Sequence, residues 1–279
     1  MRAVPHTDLA GYWELAEPVY RADPVRNTVA LTVLSGLLTE PDPTAKPPLL
    51  VTFEDNGTTV GAAFCTPPWP ISVSGMPDVA APELVALVRE LGFPVTGVTG
   101  PLEATEQVSK EWQVVTGAEV SLGFKLRLYR LDELTPPEVA GTARVATDDD
   151  IPLLARWRLA FGQDTGHMPE EDHADIVRRS MALGNGTVLW EVDGTAVSYA
   201  SATKPVEGMS RIGPVYTPVE HRGHGYGSAV TAAVTQWALD RGAEHVVLFT
   251  DLANPTSNSI YQRIGFRPHS DAADYRFKS

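Results

Sequence analysis

The spacing of apolar residues switches repeatedly between helical and strand periods, and each switch marks an element. Helical spacing predicts helices over Asp8–Tyr20 and Pro24–Leu38. Leu49–Glu54 and Thr58–Phe64 then read as paired strands around Asn56-Gly57, a dipeptide suited to a tight hairpin turn. A helix over Pro82–Leu91 is stopped at Gly92 and followed by a short strand at Pro94–Thr99, a helix over Glu103–Thr116 and a long strand over Glu119–Leu131. The same grammar then returns. Asp150–Phe161 and Glu170–Leu183 are predicted helices, and Thr187–Glu191 with Ala196–Ala202 form a hairpin around Asp193-Gly194. Tyr226–Arg241 is a helix closed by a left-handed Gly242, and Val246–Thr250 is a buried strand. Both halves thus run helix, helix, hairpin, strand, helix, strand, helix, strand. That order predicts an internal duplication, with domains at 1–135 and 136–279 joined through Asp132–Thr142.

One stretch carries chemistry. Val215–Val230 leads from an apolar strand through Gly223, Gly225 and Gly227 into a helix. Glycines leave backbone N–H groups unshielded, and a helix N-terminus points its positive end at them, which suits a phosphate or pyrophosphate. A dinucleotide-binding loop would need a third glycine where Ser228 stands, and a P-loop would need a lysine that is absent. Arg222-x-x-Gly225-x-Gly227, preceded by Pro218, resembles the pyrophosphate signature of the GCN5-related N-acetyltransferases (GNAT). Asn254, Ser257, Tyr261 and Gly265-Phe266 resemble the second signature of that family, in the right order after one helix and one strand. The likeness is specific over roughly 185–279 and extends from about Arg144.

The resemblance implies an α/β (α+β layered) fold with two tandem GNAT-like domains, each a mixed, mostly antiparallel sheet flanked by helices. It implies acetyl-CoA as co-substrate, held by Val215, Tyr216, Thr217, His221, Arg222, Gly223, His224, Gly225, Tyr226, Gly227, Ser228, Asn254 and Ser257. Tyr261 would stand opposite the thioester sulfur as the catalytic residue. The first half offers one glycine and no arginine across Val73–Pro82, so that copy reads as degenerate, shaping the acceptor pocket without binding a second coenzyme.

Acyl transfer to an amine sets demands. An amine of lysine-like pKa is neutral in only about one part in a few thousand at pH 7, so a proton must leave before attack. Backbone amides of a distorted strand ending at Val215-Tyr216, bracketed by Pro214 and Pro218, would polarise the carbonyl. A phenol is a weaker acid than a thiol by roughly 2 kcal/mol, so Tyr261 is expected to hydrogen-bond the developing thiolate more than to protonate it. Glu207, Glu220, His173 and Asp251 are candidate bases, Asp251 reading best as a turn cap, and the Ser279 carboxylate is a further candidate. Trp69, Trp112 and Trp157 could line an acceptor pocket, with core packing the default reading for each.

Composition narrows the partners. A net charge of −13 argues against nucleic acid, and with it against peptidyl transfer from aminoacyl-tRNA. The first 135 residues carry 9 basic against 17 acidic side chains and the remainder 13 against 18, an acidity that would favour a cationic amine acceptor. No apolar run approaches a membrane span, and the first residues lack the apolar core of a signal peptide. Cys65 is the single cysteine, which fits a reducing, cytoplasmic setting, and the seven histidines show no metal-ligand spacing. The expectation is an acetyl-CoA-dependent transferase acting on a small-molecule or peptide amine by direct transfer. Alternatives are a longer acyl donor, a hydroxyl acceptor, or a non-catalytic acyl-CoA-binding module.

Overall fold

Contacts within the chain gather it into two units, seen in a computed structural model that describes residues 1–41, 45–166 and 172–278. The first unit comprises Met1–Leu128, Asp251–Ala253 and His269–Ser279, and the second Tyr129–Thr250 and Asn254–Pro268.

In the first unit β1 (Arg2–His6), β2 (Leu49–Asp55), β3 (Thr58–Cys65) and β4 (Ile71–Gly75) pair antiparallel in that order. β5 (Gly97–Pro101) lies parallel to β4 and antiparallel to residues 272–276 of β12 (Phe266–Lys278). Asn56 and Gly57 take φ of 50° and 79°, the left-handed pair that a two-residue hairpin turn requires. α1 (Leu9–Arg21) is capped by Asp8, whose carboxylate accepts from the Gly11 N–H at 2.6 Å. α2 (Thr28–Thr39) begins later than its apolar spacing suggests. Asp23 takes the N–H groups of Arg26 and Asn27 on its side chain and carbonyl, so this segment spends its amides on a turn. α3 (Ala81–Glu90) and α4 (Leu102–Thr116) follow, and then β6 (Glu119–Leu131).

The second unit repeats the order. β7 (Thr142–Val145), α5 (Ile151–Thr165), α6 (His173–Ala182), β8 (Gly186–Val192), β9 (Thr195–Ala202), β10 (Met209–Tyr216), α7 (Tyr226–Leu239), β11 (His245–Asp251) and α8 (Pro255–Arg263) precede β12. The first two residues of the expected helix at 170–183 lie outside the described residues. β7 to β10 pair antiparallel, whereas β10 and β11 are parallel and joined through α7. Strand alternation sends Leu189 and Tyr199 to one face, where they pack with Leu154 of α5. Val188 and Ala200 go to the other, against Val230, Val234 and Trp237 of α7. Gly242 ends the α7 turn at φ 84°, as expected of a left-handed cap.

β1 and β7 escape sequence reading. Each is short and has, among the described residues, a single strand neighbour, and a half-solvated edge carries little apolar pattern.

Candidate active site

The site grows from the end of β10. Its register with β9 jumps from Ile212–Ala202 to Val215–Ala200, so Gly213 and Pro214 together oppose Ser201 alone. Pro214 has no N–H to give to a ladder, which makes the expected distortion before Val215-Tyr216 a finding. The strand end is then clipped in place: the Ser198 hydroxyl donates to the Tyr216 carbonyl at 2.9 Å and lies 2.8 Å from the Thr217 hydroxyl.

A single turn over Val219–His221 follows, closed by His221 N–H to the Pro218 carbonyl at 2.9 Å. Gly223 and Gly225 then take φ of 84° and 83°, and Gly225 becomes the N-cap of α7. The first helical bond is Ala229 N–H to the Gly225 carbonyl, 3.0 Å. The N–H groups of Gly223, His224, Gly225, Tyr226, Gly227 and Ser228 make no hydrogen bond to any described residue. Six donors at the positive end of a helix form a cradle for an anion with several oxygens. A Cβ on Gly227 would stand 3.3 Å from the Thr217 hydroxyl, and one on Gly225 3.0 Å from Val139.

The side chains around the cradle hold it and one another. The His224 ring stacks on Tyr226 at 5.4 Å. Arg222 donates from Nε to the Thr217 carbonyl at 3.0 Å and from Nη2 to Asp164 at 2.6 Å. Its guanidinium lies over the Tyr216 ring, 5.9 Å from the centroid. Asp164, at the end of α5, is a partner that sequence reading misses, because 58 residues separate it from Arg222.

On α8, Asn254 is the N-cap, its side chain accepting from the Ser257 N–H at 3.0 Å. Tyr261 lies one turn on from Ser257 and is hydrogen-bonded to its side chain. The Tyr261 ring is buried against Tyr129 and Phe266, with centroids 6.5 and 6.3 Å away. Burial pushes its hydroxyl up to about 12, opposed by the bond to Ser257.

The candidate bases scatter. Asp251 accepts from the Ala253 N–H at 2.8 Å and so caps a turn, Glu220 stands exposed ahead of the cradle, Glu207 lies in the turn before Met209, and His173 opens α6. Ser279 lies outside the described residues. Among the tryptophans, Trp112 stacks on Phe277 at 4.8 Å, Trp157 stacks on Tyr199 at 5.9 Å, and Trp69 is partly exposed. Cys65 is buried, its thiol donating to the Trp69 carbonyl, and burial pushes it up to about 12. Among the described residues there is no group of His, Cys, Asp and Glu fit for a metal, and no helix long and apolar enough to cross a membrane.

Residues 153–266 match the model of the acetyltransferase (GNAT) family. The chain is 43% identical over 144 residues to a mycothiol acetyltransferase of an Arthrobacter species, which takes in 48% of this chain and 44% of that protein. It is 31% identical over 86 residues to the N-acetyltransferase YobR of Bacillus subtilis, 31% of this chain and 34% of that one. The chain thus spans less than half the length of the curated relatives it matches. A tandem GNAT protein from the clavulanic acid biosynthesis pathway shares the fold at a TM-score of 0.62 and 16% identity, over 99% of this chain and 98% of that one. A GCN5-related N-acetyltransferase from Kribbella flavida does so at 0.62 and 20% identity, over 90% and 95%.

Proposed function

We propose that the chain moves an acetyl group from acetyl-CoA directly to an amine, with the reaction carried by the second unit, where residues 153–266 match the acetyltransferase (GNAT) family. The observation that supports this most is the row of six unbonded backbone N–H groups over residues 223–228. They suit a pyrophosphate, and acetyl-CoA supplies there an acetyl group activated as a thioester.

The chain's own residues account for the rest. Val215 and Tyr216 follow the break in register, and the pairing of β10 with β11 stops at Ile212, so an amide on that side of the strand end would be the one to polarise a carbonyl oxygen. The amine nitrogen's lone pair makes the new C–N bond as the C–S bond breaks, the electron pair leaves on sulfur, and the nitrogen's proton ends on the departing thiolate. Tyr261 hydrogen-bonds that sulfur. With its hydroxyl near 12 against about 8.5 for a thiol, complete proton transfer would run uphill by about 5 kcal/mol, so Tyr261 acts as a donor that keeps its proton. Transfer is direct because the single cysteine is buried with its thiol pushed up to about 12, a poor nucleophile.

In this reading the first unit binds no coenzyme. At the equivalent turn a Cβ on Gly75 would stand 2.7 Å from the Tyr20 ring, so protein fills that place, and Pro82 removes an amide from the first turn of α3.

Calorimetry with acetyl-CoA, followed by a thiol-release assay over pooled amines, tests the proposal. Acetyl-CoA binding without thiol release in any pool would leave a coenzyme-binding module. A second reading rests on the relatives' names: three of the curated matches are mycothiol acetyltransferases, which favours an acceptor from mycothiol chemistry. Mycothiol and its amine precursors therefore belong in the assay.

A further inference from the structure

Arg222 is the side chain that the sequence motif associates with a pyrophosphate, yet its guanidinium already sits in a well-formed seat. A carboxylate (Asp164, 2.6 Å), a carbonyl (Thr217, 3.0 Å) and an aromatic face (Tyr216, 5.9 Å to the centroid) surround it. Those are the three kinds of group that stabilise an organic cation. The aromatic wall continues inward. Trp157 lies 6.4 Å from Tyr216 and stacks on Tyr199 at 5.9 Å. The buried Tyr199 hydroxyl meets no hydrogen-bond partner among the described residues, so a polar group stands ready behind the rings.

We infer that Asp164 and the Tyr216 ring form a cation seat for the acceptor, and that the acceptor is an amine carrying a second positive charge, such as a diamine. This rests on Arg222 turning to the coenzyme. Asp164 and Arg222 are each about half exposed, with side-chain accessibilities of 45% and 49%, and such a pair is weak enough to exchange partners. A pyrophosphate held by the amides of 223–228 offers Arg222 two negative charges in place of one. Asp164 then keeps its charge beside the Tyr216 ring, with Glu220 adding to the negative field at that phenol and Arg158 opposing it at Tyr199. A diamine answers both demands of the reaction. One nitrogen docks as an ammonium, and the other loses its proton and attacks.

The test is calorimetry of 1,4-diaminobutane and 1-aminobutane on the full chain saturated with CoA, with acetyl-CoA binding measured first. The diamine should bind at least about tenfold more tightly than the monoamine. Asp164→Asn should erase that preference, Asp164→Glu should retain it, and acetyl-CoA should bind Asp164→Asn as tightly as the parent or more so. A diamine that binds no better than the monoamine, or a preference that survives Asp164→Asn, overturns the seat. Weaker acetyl-CoA binding in Asp164→Asn also overturns it, since Asp164 would then only position Arg222. If acetyl-CoA itself fails to bind the parent chain, the coenzyme reading falls and takes the seat with it. Binding of acetyl-CoA without diamine preference removes the seat alone.

Discussion

Tyr261 packs in the core of the second unit and is proposed to assist the departing thiolate, and one substitution separates the two roles. Tyr261→Phe keeps the ring against Tyr129 and Phe266 and removes only the hydroxyl bonded to Ser257, so stability should fall by about 1 kcal/mol. A donor that strengthens as charge develops on sulfur acts on the transition state, so kcat should drop by about 10²–10⁴ while acetyl-CoA affinity barely moves. Steady-state kinetics on a verified acceptor decides this; near-normal turnover would leave Tyr261 a packing residue. The pH dependence has a definite sign. Because burial holds the hydroxyl up to about 12, Tyr261 stays protonated through the usual assay range and contributes no falling limb there. The rate should rise with pH as the acceptor amine loses its proton. Stability runs the other way at high pH: the unfolded phenol ionises near 10 and the folded one near 12, so this contribution is present below pH 10 and is lost as pH climbs to about 12. Alkaline denaturation of Tyr261→Phe should be correspondingly shallower. Tyr261 and Arg222 stand out in the chain as candidates because their flanking motifs are local. Asp164 could not, since only the fold brings α5 to the cradle, and Asn254 proves to spend its side chain on capping α8.

The strand-to-helix turn from β10 into α7 behaves as a unit, and its glycines differ in what they permit. Gly225 combines φ 83° with a Cβ path 3.0 Å from Val139, so Gly225→Ala should cost about 1–2 kcal/mol of stability and distort the amide cradle. Gly227 lies inside α7, where alanine is the better helix former by about 1 kcal/mol, and meets only the Thr217 hydroxyl. Thermal melts should therefore show Gly225→Ala destabilised and Gly227→Ala close to the parent, while calorimetry should show acetyl-CoA binding weakened most in Gly225→Ala. Equal melting temperatures would mean that the left-handed cap is not holding the turn. The break in β10 was foreseeable from Pro214 and Pro218, because proline acts locally on a ladder. The ends of α2 and β5 were not: Asp23 diverts the first residues of one, and the other begins at Gly97, three residues beyond the expected start.

Duplication is the property of the whole chain, and it was visible because each copy repeats the same run of periods from its first helix onward, α1 to β6 and then α5 to β12. Which strand segments join which unit was not visible. Residues 272–276 pair with β5 across more than 170 positions, and local periodicity carries no record of so distant a partner. The copies differ where function would differ. The second has six free amides and two left-handed glycines before α7, whereas the first has the Tyr20 ring beneath Gly75 and Pro82 at the start of α3. Titration of acetyl-CoA into the full chain should therefore give one site. In Gly225→Val, which disables the second copy's cradle, it should give none. A residual site in that variant would place coenzyme in the first unit despite Tyr20, and the division of labour between the copies would have to be reversed or shared. To separate loss of binding from loss of folding, Gly225→Val should be compared with Gly75→Ala. The latter disturbs the first unit where a Cβ meets Tyr20, and should lower stability while leaving the single acetyl-CoA site in place.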